Sequence, residues 1–445
     1  MKAAPFQAEA GAPVRLGTNQ TAPYRVHCDL FRLGRLGKSG WASLTRPWKG
    51  STIVSTSELS RARTGLTVAF FTMTGVLAVG QAYVVLGMLN QIGEELRVTP
   101  AAATTLTTVF GVAYAVGFLL TGPLATRFGV SRVLVIGLGG ASVAAFMVTA
   151  LPTSLEVALT VRAGQGFLSA AFAPCALVYV SQQFPRRQRT FATTALTTAF
   201  LASALVMPLL AGLAAVAWGW RGVFAGSGVA LFTCAVSLTF LLRRDKPTAV
   251  SLAQAFFVLP RVLKHWPLLG LYAATAAVLG CYVALFTALQ LSTSTAIANF
   301  PGGLQGLRLA SISALVLMTA VSGLLHRVSS WGRATSGFVL AALGGAAILL
   351  AEPNPAVLGT GVVLFAAAIA LTAPALVARI VEASPPGATA GAAAWYGAFM
   401  FIGGSLGPIL ATPARGSGLP TAVLIVIAVA LTGAALVLAT RPAAG

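Results

Sequence analysis

The chain has 445 residues, 57% of them hydrophobic and only 9% charged, with a mean hydropathy of +0.86. A soluble domain carries roughly 25% charged residues, so this composition excludes an ordinary water-soluble protein and indicates an integral membrane protein. The net charge of +20 does not signal nucleic-acid binding: ten of the 29 Lys and Arg fall in the first 63 residues, and most others fall in short segments between apolar runs, as in a polytopic membrane protein.

Residues 1–63 have no apolar run, are basic, and contain scattered Gly, Pro and Ser. Without an uninterrupted apolar stretch they do not read as a cleaved signal peptide. They read as a disordered cytoplasmic tail, or else the start codon is assigned too early.

Continuous apolar runs of about 20 residues follow, which indicates helices rather than a barrel of ~10-residue alternating strands. Twelve spans are expected. In the first half they are 65–89, 101–125, 133–151, 155–180, 191–215 and 222–242; in the second, 266–290, 307–325, 334–351, 356–380, 389–412 and 419–440. The expected organisation is a tail (1–63), a six-helix bundle (64–242), a cytoplasmic linker (243–265) and a second six-helix bundle (266–440).

The two bundles read as copies of one unit. Pro185 and Pro385 precede corresponding spans and Pro208 and Pro408 lie inside them, each pair 200 residues apart, while Gly122-Pro-Leu and Gly323-Leu-Leu are 201 apart. The fold class is therefore all-α, with twelve transmembrane helices as two six-helix pseudo-repeats. A site at the interface of such repeats is the usual architecture of a carrier.

With the N-terminus inside, inner loops and the C-terminus hold fourteen Lys and Arg, and outer loops hold four: Arg97, Arg221, Arg308 and Arg415. The positive-inside rule then places both termini in the cytoplasm of a multi-pass inner (plasma) membrane protein. Cys28, Cys175, Cys234 and Cys281 form no C-x-x-C pair; they read as small packing residues, without disulfide, metal site or cofactor.

Specific residues carry a resemblance. Gly122-Pro-Leu-Ala-Thr-Arg-Phe-Gly-Val-Ser-Arg132 joins spans 2 and 3 and resembles the G-x-L-a-D-R-x-G-R loop of the major facilitator superfamily, with matches at Gly122, Leu124, Arg127 and Gly129. Thr126 stands where the family has Asp, and the trailing basic residue is displaced to Arg132. Arg162-Ala-Gly-Gln165-Gly166 in span 4 resembles the R-x-x-Q-G motif of the drug:proton antiporter branch. Met207-Pro208-Leu-Leu-Ala-Gly212 is a degraded G-P-x-x-G-G motif. Trp220-Arg-Gly-Val-Phe224 looks like the W-R-x-x-F element before span 6, and Gly403-Gly-Ser-Leu-Gly407-Pro408 like its counterpart in span 11. The resemblance covers residues 65–440. It implies the major facilitator fold, transport by alternating access, protons as coupling ion, and a gating role for the Gly122–Arg132 loop and for Pro208, Gly212, Gly407 and Pro408. The latch that the family's Asp forms should be weaker with Thr126.

Arg162 is the sharpest single residue, lying roughly 10 Å along span 4 at 1.5 Å per residue. A charge at such depth is costly and usually faces a cavity or a partner. Gln165 shares its face, three residues on; the alternative is an Arg162 that reaches back to the outer interface near Glu156. The nine acidic residues all fall in the tail, loops or span ends, so no carboxylate is expected mid-membrane to carry a proton. Candidate substrate-lining residues are Thr74, Gln81 and Tyr83 (span 1), Tyr114 (span 2), Arg162 and Gln165 (span 4), Tyr282, Phe286 and Gln290 on one face of span 7, and Trp395 and Tyr396 (span 11).

The leading reading is a secondary transporter that exports small organic or amphipathic molecules by proton antiport, acting as a monomer in the bilayer without nucleic-acid partners. Two alternatives stay open: an importer or facilitator of an organic anion or sugar-like solute, and a transport-inactive sensor of the same fold. An intramembrane enzyme would need a convergent set of acids, Ser with His, or a metal cluster. No such set appears, nor does the ATP-binding G-x-x-x-x-G-K-[ST].

Overall fold

The structure, a computed structural model, describes residues 56–151, 154–184, 186–242, 265–321, 328–385, 389–414 and 418–440. Most of the expected tail, Cys28, and all but the last residue of the expected linker lie outside them. The long elements are helices: α1 (Thr56–Gly80), α2 (Leu89–Glu95), α3 (Thr105–Phe128), α4 (Val130–Ala150), α5 (Leu155–Ser169), α6 (Phe172–Gln183), α7 (Arg186–Leu241), α8 (Trp266–Leu291), α9 (Gly303–Val321), α10 (Ser330–Leu349), α11 (Pro355–Ala383), α12 (Thr389–Leu410) and α13 (Leu419–Ala439).

Among the described residues nine helical runs are long and apolar enough to cross a membrane, and one of them, Phe191–Leu241, holds the two expected spans 5 and 6. Two shorter apolar helices, Gly65–Gly80 and Gly303–Met318, supply spans 1 and 8. Large apolar side chains face outward along these helices, among them Ile136, Val216, Phe240 and Leu350. Such faces cannot lie against water and fit the hydrocarbon of a bilayer.

Local chemistry sets the helix ends. The Thr99 hydroxyl accepts from the Ala102 N–H and Pro100 follows it at the first helical position; Asn354 and Pro355 open α11 in the same way. Both are strong start signals. Gly129 closes α3 with φ +94°, a conformation that residues with a Cβ avoid.

The structure departs from the expected spans in four places. The first helix begins at Thr56, inside the expected tail, and ends at Gly80, not 89. Beyond it the backbone bonds tighten to three-residue spacing, from Ala82 N–H to Val79 O and from Tyr83 N–H to Gly80 O. A 3-10 turn (Val84–Gly87) then leads into α2. Span 4 is split into α5 and α6, because Pro174 has no N–H to give the carbonyl one turn back. Spans 5 and 6 run together as α7, bent at Gly219 (φ +63°). Span 8 begins at Gly303, four residues before its expected start.

The packing partners repeat between the halves. In the first, α1 packs on α7, α3 on α5, and α4 on α5 and α7; in the second, α8 packs on α12, α9 on α11, and α10 on α11 and α13. These are the same span pairs, 1/5, 2/4, 3/4 and 3/6, shifted by six. The halves meet through α3 against α12 and α9 against α7, spans 2/11 and 8/5, again equivalent. Small residues permit the close crossings: a Cβ on Gly403 would overlap the Ala276 carbonyl, and Gly344 and Gly361 bring α10 against α11.

Candidate functional site

The break after α1 places polar backbone at depth, and a buried guanidinium takes it up. Arg162 on α5 is wholly buried. It donates from Nη1 to Gln165 Oε1 (2.6 Å) and from Nη2 to the Gln81 carbonyl (2.8 Å), and Gln165 Nε2 reaches Gln81 Oε1 (3.3 Å). The cation lies 4.3 Å from the centre of the Phe110 ring and 5.5 Å from that of Phe224. Its charge is therefore met by amide oxygens, two aromatic faces and the negative C-terminal end of α1. No carboxylate takes part, and Arg162 does not reach back toward Glu156.

A second buried guanidinium faces the same unwound segment from the other half. Arg308 on α9 is 1% exposed. It donates from Nη1 to Gln305 Oε1 (3.1 Å) and from Nη2 to Gln290 Oε1 (3.1 Å) and the Leu86 carbonyl (3.4 Å). The expectation that Arg308 lies in an outer loop is thus corrected. The run Pro301-Gly-Gly-Leu-Gln-Gly-Leu-Arg308 looks like a loop for its glycines, but Gly302 and Gly303 make the turn with positive φ and the helix starts at once. The signal was present: Gln305-x-x-Arg308 places amide and guanidinium on one helical face, as Arg162-x-x-Gln165 does.

Buried tyrosines accompany the two cations. Tyr114 packs against Phe401 of α12 across the seam, the rings tilted by 30° (3.9 Å between ring centres), and stacks on Phe110 (6.0 Å). Tyr282 meets Phe286 edge-on (5.3 Å). Tyr83, on the unwound segment, is 3% exposed, and its hydroxyl lies 3.6 Å from where a Cβ on Gly404 of α12 would stand. The hydroxyls of Tyr114 and Tyr282 and the Arg162 Nε are buried without a hydrogen-bond partner. The structure thus brings together eight of the eleven candidate lining residues: Gln81, Tyr83, Tyr114, Arg162, Gln165, Tyr282, Phe286 and Gln290. Trp395 and Tyr396 lie farther along α12. Trp395 packs beside Phe399, which stacks on Tyr272, and the Tyr396 hydroxyl reaches the Ala373 carbonyl (3.5 Å). Thr74 donates to the Phe70 carbonyl of its own helix.

The candidate gating residues divide between the ends of the bundle. At the end that carries α2, Gly212 lets α7 approach α9 and the unwound segment: a Cβ there would meet Gln305 Nε2 at 2.9 Å and the Gly87 carbonyl at 3.2 Å. Gly407 sits against Val283 and Ala284 of α8. Pro208 and Pro408 lie inside α7 and α12. At the opposite end Gly129 makes the α3–α4 turn, Leu124 is half-buried, and Arg127 and Arg132 are exposed. Gly122 lies within α3, exposed, with open space around it. Thr126 donates to the Gly122 carbonyl.

The Trp220-Arg-x-x-Phe224 element has a physical role at the α2 end. Trp220 Nε1 donates to Glu95 Oε2 (2.5 Å), Arg221 Nε to Glu95 Oε1 (2.7 Å), and Arg221 Nη1 to the Thr149 carbonyl (2.5 Å). Phe224, one turn on, supports Arg162. Partial burial raises the Glu95 pKa, but the bonds from Arg221 and Trp220 and the Arg221 charge outweigh it and hold the carboxyl below its ordinary value. A depressed carboxyl stabilises the fold above its unfolded pKa, and that contribution is lost as pH falls through the folded value. Both partners are partly exposed, so Glu95→Gln is expected to cost less than about 1 kcal/mol. Its melting temperature should lie slightly below that of the parent at neutral pH and in mild acid, and match it only once the pH falls below the lowered carboxyl value, which thermal unfolding across pH checks.

Among the residues whose exposure is described, the carboxylates Glu94, Glu95, Glu156, Glu352 and Glu382 are all exposed. Among the described residues the buried charged side chains are Arg162, Arg308 and Arg379, and of these Arg379 alone has a salt bridge, to Glu382 at 2.9 Å.

Comparison with known proteins agrees with this architecture. Residues 70–408 match the family model described as Major Facilitator Superfamily. The chain is 30% identical over 182 residues to a protein of Klebsiella pneumoniae named multidrug resistance protein MdtG, which covers 39% of this chain and 43% of that one. It is 26% identical over 344 residues to the probable transporter SCO4007 of Streptomyces coelicolor, covering 75% and 78%. The matches to the first curated relatives span less than half of those relatives' own length, 23% to 43%. Among solved structures, one titled as the peptide transporter POT in complex with sulfate superposes with a TM-score of 0.68 at 13% identity, over 85% of this chain and 93% of that one. Matched along most of its described length and built as two equivalent six-helix halves, the chain belongs to the major facilitator superfamily.

Proposed function

We propose that this protein is a secondary transporter that exports small amphipathic organic molecules by alternating access, coupled to proton entry. The observation that carries the reading is the polar cluster at the seam. The unwound segment after α1 is gripped by Arg162 from its own half and by Arg308 from the other, within walls of aromatic side chains. Polar groups at membrane depth and broken helices mark solute pathways. The names of the multidrug resistance relatives and of the probable transporter agree with it.

In this reading residues 64–242 and 266–440 rock as two bodies about the site. The positive-inside count puts the α2 end outside and both termini in the cytoplasm. The contacts of Arg308 with the Leu86 carbonyl, of Gln305 with Gly212, and of Thr108 Oγ1 with the Ser405 carbonyl (2.9 Å) all join the halves on the α2 side. The conformation is then closed outward, and the loop of Arg127 and Arg132 acts at the inner face.

Purified full-length protein in liposomes with an imposed pH gradient tests the proposal. Interior pH is followed while a panel of amphipathic cations, neutral drugs and organic anions is added. Substrate-dependent proton movement, absent in Arg162→Ala, is the expected result. Solute flux without proton movement would remove the coupling, and no flux for any class would remove the transport function.

A further inference from the structure

We infer that the central site takes organic anions: a flat aromatic body bearing a carboxylate or sulfonate, held between Arg162 and Arg308. The inference deepens the proposed transport function and rests on that reading for its place in a transport cycle, but its argument is one of charge. Two buried guanidinia reach the same unwound segment, at Gln81 and at Leu86. They also lie at similar depth, seven residues into α5 and five into α9 from the same end of the bundle, roughly 10 and 8 Å at 1.5 Å per residue. All five of their hydrogen-bonded acceptors are neutral amide oxygens.

Burying a charge without a counter-ion is unfavourable, and two like charges compound the cost. No carboxylate among the residues whose exposure is described is buried to offset them. The unmet polar atoms nearby are Arg162 Nε, which only donates, and the hydroxyls of Tyr114 and Tyr282, which can donate to an acceptor. A cation entering here meets two positive charges. An oxyanion supplies both the missing charge and the missing acceptor, and charge-assisted bonds are the stronger kind. The surrounding faces of Phe110, Phe224, Phe286 and Phe401 suit a planar apolar body. The Tyr114–Phe401 contact lies on the α3–α12 seam, so separation of the halves opens this layer to solute.

Equilibrium dialysis of the full-length protein in detergent decides the matter with three probes of one shape: 2-naphthoate, 2-naphthamide and 2-naphthylmethylammonium. The wild type is expected to bind naphthoate at least about tenfold more tightly than the amide, the worth of a single charge-assisted bond, and to bind the ammonium most weakly. Arg308→Gln and Arg162→Gln are expected to shrink the carboxylate preference to less than about threefold, while Arg308→Lys and a change at the exposed Arg97 (Arg97→Gln) keep it. Equal binding of naphthoate and naphthamide by the wild type overturns the inference without reference to any variant, and so does a preference that survives in a folded Arg308→Gln. Parallel flux measurements separate the two readings. Proton-coupled flux of neutral or cationic solutes without a naphthoate preference leaves the transport function standing and sinks the anion site. A naphthoate preference with no flux of any probe does the reverse.

Discussion

Arg162→Met is expected to abolish transport while leaving the protein folded. The guanidinium makes two short hydrogen bonds to amide oxygens and lies on two aromatic rings. Hydrogen bonds to charged groups contribute about 1.5–3 kcal/mol each, so if they hold the site in its working geometry, transport should fall by at least about a hundredfold. Stability should respond differently. Losing those bonds is unfavourable, but removing a buried charge that no carboxylate offsets is favourable, and apolar replacements of similar volume at buried ionic sites are often neutral or stabilising. The melting temperature is therefore expected to change little or to rise. Transport assays beside thermal unfolding in detergent check this. An unfolded Arg162→Met protein would make Arg162 a structural tie rather than a functional group.

Gly166→Ala is expected to be severely damaging, and Gly164→Ala two residues away to be harmless. A Cβ on Gly166 would overlap the carbonyl oxygen of Phe110 in α3, whereas nothing lies within 4 Å of one on Gly164. The obstacle is backbone, so α3 and α5 must separate. Overpacking costs about 1–3 kcal/mol even where side chains can yield, and here they cannot. Phe110 is also the nearer aromatic face under Arg162, so the displacement reaches the site. Gly164 is exposed and helical, where alanine is favoured by up to about 1 kcal/mol. Size-exclusion profiles and melting temperatures of the pair give the comparison; equal stability of the two would show that α5 is not clamped against α3.

The candidate site was partly legible because a charge in an apolar run is conspicuous. Arg162 stood alone in span 4, and its partner Gln165 followed from helical spacing. Arg308 was equally charged but misplaced. Its neighbours Gly302, Gly303 and Gly306 resemble loop sequence, and hydropathy does not register that two positive-φ glycines can complete a turn and leave the next residue free to start a helix. The break at Gly80 was also hidden, since Gln81-Ala-Tyr-Val-Val-Leu is apolar enough to continue a span. Its 3-10 tightening depends on α5 offering a guanidinium to the Gln81 carbonyl, a contact 81 residues distant. Trp395 and Tyr396 matched the expected residue types for a solute wall, yet their place on α12 puts them beside Phe399 and Ala373.

By itself the sequence determined the solvent, the helical class, the twofold repeat and the family. Lipid allows a spanning helix only where about 20 apolar residues run together, and the repeated prolines and glycines record one packing scheme used twice. The tertiary structure decided which polar groups meet. Seams between spans 2 and 11 and between spans 5 and 8 bring Tyr114 to Phe401 and Gln305 to Gly212, and the unwound segment brings two arginines from opposite halves to one strip of backbone. No local pattern encodes those meetings, because a buried charge selects its partners by distance across the bundle, and that distance is fixed only when all the helices have packed.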